Sequence, residues 1–128
     1  MRQHPAQGAR LVALGPRLGR VATIVRQRHE RHDGTGYPDR RAGQDSTIQA
    51  RIPAVCGTWA AVLADRCYRL ALSREAARAG LAAARGSQLG PQVLGPFLRL
   101  QGSGAIGELR RTHQRGLSDA AAASVQRR

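Results

Sequence analysis

Residues 33–38 read Asp33-Gly34-Thr35-Gly36-Tyr37-Pro38, a string through which neither a helix nor a regular strand can run. Gly34 and Gly36 free the backbone for positive φ, and Pro38 pushes Tyr37 out of the α region. The chain must therefore turn here, and the segments on either side say what it turns between. Upstream, Pro5 and Pro16 each sit where a first helical position tolerates a missing N–H. After Pro16, the residues Leu18, Val21, Ala22, Val25 and His29 recur at three- and four-residue steps, which predicts one buried helical face. Downstream the loop extends to about Asp45. Ser46 is then the predicted N-cap of a third helix carrying Ile48, Ile52, Val55, Trp59 and Val62. A fourth helix is predicted after Ser73 and stopped by Gly86, and a shorter one follows Pro91. No hairpin signal or sustained alternation occurs, so the predicted class is all-α.

At 128 residues the chain holds one domain. Gln101-Gly102-Ser103-Gly104 has linker composition and divides a helical domain over 1–100 from an Ala- and Arg-rich tail over 101–128. That tail has few large apolar residues and is expected to be flexible or a frayed helix. Charge narrows the partners. The 21 cations are all Arg and face 8 acids, a net +13 that attracts phosphates of any kind. They are scattered in pairs, not gathered on one helix face beside base-reading residues, so specific nucleic-acid binding is not expected. No apolar run approaches the ~18 residues of a membrane span. Cys56 and Cys67 cannot form a disulfide scaffold and read as small apolar fillers in a cytoplasmic protein.

Chemistry concentrates in Arg28-His29-Glu30-Arg31-His32-Asp33-Gly34-Thr35-Gly36-Tyr37-Pro38. A histidine ending an apolar face is ordinarily a satisfied core residue. The whole string, however, resembles the signature of the HD-GYP family, His-His-Glu-x-x-Asp-Gly-x-Gly-Tyr-Pro, lacking only its first His. The resemblance extends over about His4 to Leu100. It takes in His4-Pro5-x-x-Gly8, Ala50-Arg51-Ile52, Asp65-Arg66-Cys67-Tyr68-Arg69 and Gly86-x-Gln88-Leu89-Gly90-Pro91. It implies the C-terminal helices of an HD-GYP-type helical domain, with the N-terminal helices that carry the His-Asp pair missing from the match. The family hydrolyses cyclic di-GMP at two or three clustered metals, usually iron or manganese. By that resemblance His4 and His29 match metal ligands, Tyr37, Arg66 and Arg69 match contacts to the dinucleotide, and the Gly-Tyr-Pro loop is implicated in contacts with GGDEF cyclase domains.

Departures from the signature fall on the metals. Arg28 stands where the first His of the pair belongs and has no lone pair for a metal. Gly57 replaces a ligand Asp, and Ala60 replaces another Asp one turn later. Two neutral imidazoles neither neutralise nor bridge two divalent cations. His32 is an extra imidazole able at most to support one weak site. Glu30 and Asp33 are expected to order the loop before serving any metal. The expectation is a truncated, degenerate HD-GYP protein, catalytically inactive and without its own metal cofactor. Two alternatives stand beside it: a module binding cyclic di-GMP or a GGDEF protein, and an active phosphodiesterase once completed by a missing N-terminal half. Pro53 and Pro96 fall inside predicted helices at ~3 kcal/mol each. Stability is therefore expected to require an oligomer or the missing half-domain.

Overall fold

The computed structural model describes residues 2–65, 67, 70–105, 107–108 and 111–115. They form five α-helices: α1 (His4–Ala13), α2 (Gly19–Gln27), α3 (Ile48–Val62), α4 (Arg74–Ala83) and α5 (Pro91–Gly102). Among the described residues there is no strand, only the isolated bridges Asp33–Ala42 and Arg85–Leu89. The fold is all-α. The chain divides into two compact units, residues 1–95 and 96–128. In the first, α1 packs on α2, α2 on α3, and α3 on α4. Its core is small: Val55, Leu81, Leu89 and Leu94 are the large buried side chains, completed by Ala9, Ala22, Ala50 and Ala77. The second unit holds the remainder of α5 and helical residues at 111–115; the tail from 116 lies outside the described residues.

Several boundaries differ from those the periodicity suggests. The helix assigned to Pro16 begins at Gly19, because Arg17 adopts a left-handed φ of 66° and the Gly15 carbonyl accepts from Leu18 N–H. The same helix ends at Gln27, so His29 lies in the following turn and not on the helix. Thr47, not Ser46, precedes α3. Its amide and hydroxyl both donate to Gln27 Oε1, at 2.9 and 3.1 Å, and its own side chain caps nothing. Buried Ser46 instead offers its carbonyl to the Arg51 guanidinium, at 2.7 and 3.0 Å. Of the expected α3 face Val55 is buried, together with Ala50, while Ile48 and Ile52 are about half exposed.

Helix α3 runs unbroken through Pro53, which is exposed; the carbonyl it leaves without a helical partner belongs to exposed Gln49. Ser73 does cap α4, its hydroxyl accepting from Ala76 N–H at 3.1 Å. The last helix is longer than expected: α5 absorbs Gln101 and Gly102, and Gly104 turns the chain with φ 73°. Cys56 and Cys67 are both exposed and fill nothing.

The loop from His29 to Asp45 is held by its own polar groups. Buried Glu30 accepts from the backbone N–H of Asp39 at 2.7 Å and of Arg41 at 3.0 Å. Asp33 accepts from Arg31 and from both the amide and hydroxyl of Thr35. Asp39 forms a two-point pair with Arg26 at 2.6 and 2.8 Å. The loop also docks on the α4–α5 connection, where Asp33 N–H donates to the Ser87 carbonyl at 2.8 Å. Gly34 has the positive φ its turn requires, 77°. Gly36 does not: it is glycine because the backbone passes too close. A Cβ there would overlap Arg31 N and lie 2.6 Å from Glu30 Cα and 2.7 Å from the His29 carbonyl.

Gly36→Ala should therefore lower stability by about 3 kcal/mol or more, since the obstruction is backbone and cannot swing away. Gly80→Ala, in α4 with nothing within 4 Å of the added Cβ, should raise it by about 0.5–1 kcal/mol. Chemical denaturation of both variants checks the pair. Acid should loosen the same loop. The Arg31 hydrogen bond, with those from Thr35, holds the Asp33 carboxyl well below its usual range; Arg26 does likewise for Asp39. Both carboxyls bind protons more readily unfolded, so their stabilisation is present above about pH 4 and lost as pH falls through the folded values. The melting midpoint should drop steadily below about pH 4, and less so in Asp33→Asn.

Candidate functional site

Three elements converge on one cleft. The turn after α2 presents Arg28 and His29, the docked loop carries Tyr37, and His4 in the first turn of α1 packs against His29. Helix α3 closes the opposite side with Pro53, Gly57 and Thr58, and the cleft holds about 600 Å³. His4 Nε2 and His29 Nε2 are 3.1 Å apart, the rings edge to face with centroids at 4.9 Å. Tyr37 lies parallel to His29, 12° between planes and 5.1 Å between centroids. Tyr37 N–H also donates to the His29 carbonyl at 3.2 Å, so the stacked pair is fixed at ring and backbone alike. Partial burial, then the adjacent Arg28 and then His4, push the His29 pKa below its ordinary value. That direction favours the neutral imidazole.

Charge within this lining is unevenly committed. Arg31 is spent on Asp33 and Thr35. Both Glu30 oxygens are spent on backbone amides. Arg28 caps the C-terminal end of α2, is exposed, and has no hydrogen-bond or ion-pair partner among the described residues. Across from it, a Cβ built on Gly57 would meet nothing within 4 Å, so there is room for a side chain and the sequence supplies none. Ala60 is exposed on the same helix.

The residues do not fit the two- or three-metal cluster implied by the signature. A separation of 3.1 Å suits either one N–H···N hydrogen bond or two nitrogens on a single ion. A bridged cluster needs carboxylates, and no group of three or more His, Cys, Asp or Glu side chains converges among the described residues. His32 does not complete the pair. It lines a separate cavity of about 20 Å³ with Ser46, Arg51 and Gly90, where its Nδ1 is buried without a hydrogen-bond partner. A void of that size with polar walls has room for one water. Arg66 and Arg69 lie outside the described residues.

Sequence reasoning missed the structural use of Gln27 and Arg51 and the presence of Thr58 and Gln88 in the cleft wall. Gln88 stands in a segment singled out for its resemblance. So does Arg51; Gln27 and Thr58 carry no such signal, because the first has its partner 20 residues away and the second bonds a backbone carbonyl of its own helix.

Known proteins resemble this chain over most of its length. The HD domain family matches residues 1–93. The cyclic di-GMP phosphodiesterase response regulator RpfG of Xanthomonas campestris pv. campestris is 38% identical over 101 residues, covering 77% of this chain and 27% of that protein. Cyclic di-GMP phosphodiesterase PA4108 of Pseudomonas aeruginosa is 33% identical, covering 85% of this chain and 26% of the relative. The 3'3'-cGAMP-specific phosphodiesterase 2 of Vibrio cholerae is 33% identical over 73% of this chain and 18% of its own length. The chain thus spans about a quarter or less of these relatives. A crystal structure of a cyclic GMP-AMP-specific phosphodiesterase of V. cholerae, V-cGAP3, superposes with a TM-score of 0.67 at 19% identity, covering 77% of this chain and 22% of that one, a likeness of fold. No described helix is long and apolar enough to cross a membrane. With its His29–Pro38 loop of HD-GYP type, the chain belongs to the HD domain family.

Proposed function

We propose that this chain is a non-hydrolysing HD-GYP-type module that binds a cyclic dinucleotide, acting as a cytoplasmic signalling component. One observation carries the reading. The cleft keeps the stacked Tyr37–His29 pair and its glycine loop, but presents Arg28 and Gly57 where the signature's metal ligands would stand. Hydrolysis of a phosphodiester at neutral pH needs an activated water, and two divalent ions held by carboxylates are this family's means of making one. Among the described residues no cluster of such carboxylates is placed to hold ions that generate hydroxide. Recognition needs less: an aromatic face for a base and a cation for the phosphate. Tyr37 supplies the first. Arg66 and Arg69 enter through the resemblance alone.

Two measurements test this. Cyclic di-GMP incubated with the pure chain and manganese or ferrous iron should yield no linear product by chromatography. The same ligand at a hundredfold excess over its dissociation constant should raise the melting midpoint by roughly 10 °C, the equivalent of ~2.7 kcal/mol. Tyr37→Ala should weaken affinity by about tenfold or more, the ordinary worth of one base stacked on one aromatic ring. Turnover that disappears on chelation would overturn the non-hydrolysing part; an unshifted melt would overturn binding.

A further inference from the structure

We infer that the cleft takes the phosphodiester directly on the Arg28 guanidinium, without a metal ion between protein and ligand. The inference rests on the cyclic-dinucleotide reading and deepens it by naming what replaces the metals. In a metal-dependent site the positive charge comes from ions, and the protein contributes neutral imidazoles and anionic carboxylates. Here the pattern is inverted. The imidazoles remain at 4 and 29, a permanent cation stands at 28, and no carboxylate stands at 57.

Three observations place the ligand charge at Arg28 and not elsewhere in the wall. The nearby Arg31 is already neutralised by Asp33 at 2.7 Å. Glu30, which would repel a phosphate, has both oxygens turned to the amides of Asp39 and Arg41. Arg28 is exposed, lines the cleft, and has no partner among the described residues. A guanidinium presents five N–H donors in a planar fork that meets two phosphate oxygens at once. Gly57 opposite leaves space for the diester where an Asp would have introduced a like charge. Substituting Arg for the ligand His and Gly for the ligand Asp therefore act in the same direction. Each removes a reason to bind a cation, and together they favour an anion.

Arg28 also caps the C-terminal end of α2, where a cation is favourable for the helix itself. The experiment must separate that role from ligand contact. Calorimetric titration of the full chain with cyclic di-GMP is run in excess EDTA and in manganese, beside thermal melts of the unliganded proteins. The expected result is an affinity unchanged by chelation, and a loss of about 10- to 100-fold in Arg28→Ala. Arg28→Lys, which keeps the helix-end charge but loses the planar fork, should fall between the two with an unaltered melt. Arg10→Ala, removing an exposed cation on α1, should leave affinity unchanged.

Binding that EDTA abolishes would overturn the inference while leaving the dinucleotide reading intact. Equal losses in Arg28→Ala and Arg10→Ala would overturn it in favour of general attraction to a chain of +13. No binding in either buffer would overturn both.

Discussion

The site depends on one buried carboxylate. Glu30 is only 8% exposed and spends its two oxygens on two amides of the loop nine and eleven residues later. Charge-assisted hydrogen bonds of this kind offset the cost of burying an acid, and removal of one partner leaves the other stranded. Their effect here is geometric. By closing the loop back on its own start, Glu30 brings Tyr37 over His29, and the loop's lower edge onto the α4–α5 connection. Gly36 is the steric condition for the same closure, because the returning strand of the loop crosses the Glu30 backbone at a distance no side chain would allow. The position of Tyr37 over His29 goes with that crossing.

A loop closed by internal hydrogen bonds does not require a metal to hold it. This explains how the HD-GYP architecture survives in a chain whose donor set no longer suits a cluster. Glu30, Asp33 and Gly36 order the loop, whereas the positions that the family resemblance associates with metals, 4, 28, 29 and 57, are other residues. Substitutions at 28 and 57 change the chemistry of the cleft without touching the bonds that shape it. The electrostatic outcome is a cleft with an imidazole, an uncommitted guanidinium and no free acid among its described lining residues.

The helices themselves are modest. Four large side chains make up most of the buried apolar volume, and α1 ends with Leu11 and Leu14 largely in solvent. Helix α3 shows how a polar anchor accompanies a thin apolar face when aliphatic residues are few. Val55 of the face expected from hydropathy is buried with Ala50, while Ile48 and Ile52 of the same face stay about half exposed. The Arg51 guanidinium makes four hydrogen bonds to three acceptors, on Ser46, Gln44 and Gln92, and ties the start of the helix to its surroundings. Hydrophobic periodicity predicted the helix; tertiary contacts decided how much of its apolar face is covered.

That division runs through the whole protein. The sequence by itself determined the all-α class, the break at residues 33–38, the N-cap at Ser73 and the departures at 28 and 57, because each is a local property of residue type. Only the tertiary structure decided that His29 lies beyond α2, that Thr47 and not Ser46 opens α3, that Pro53 is harmless on an exposed face, and that Gly36 answers to a crossing backbone and not to a positive φ. It also decided that the two cysteines are solvent-facing and that His32 stands apart from the other imidazoles. The physical reason is common to all of these. Propensity and capping act over a few residues and can be read from a string. The partner of Gln27 is twenty residues away and that of Arg51 reaches across forty-one, and contacts at such separations exist only once the chain has closed on itself.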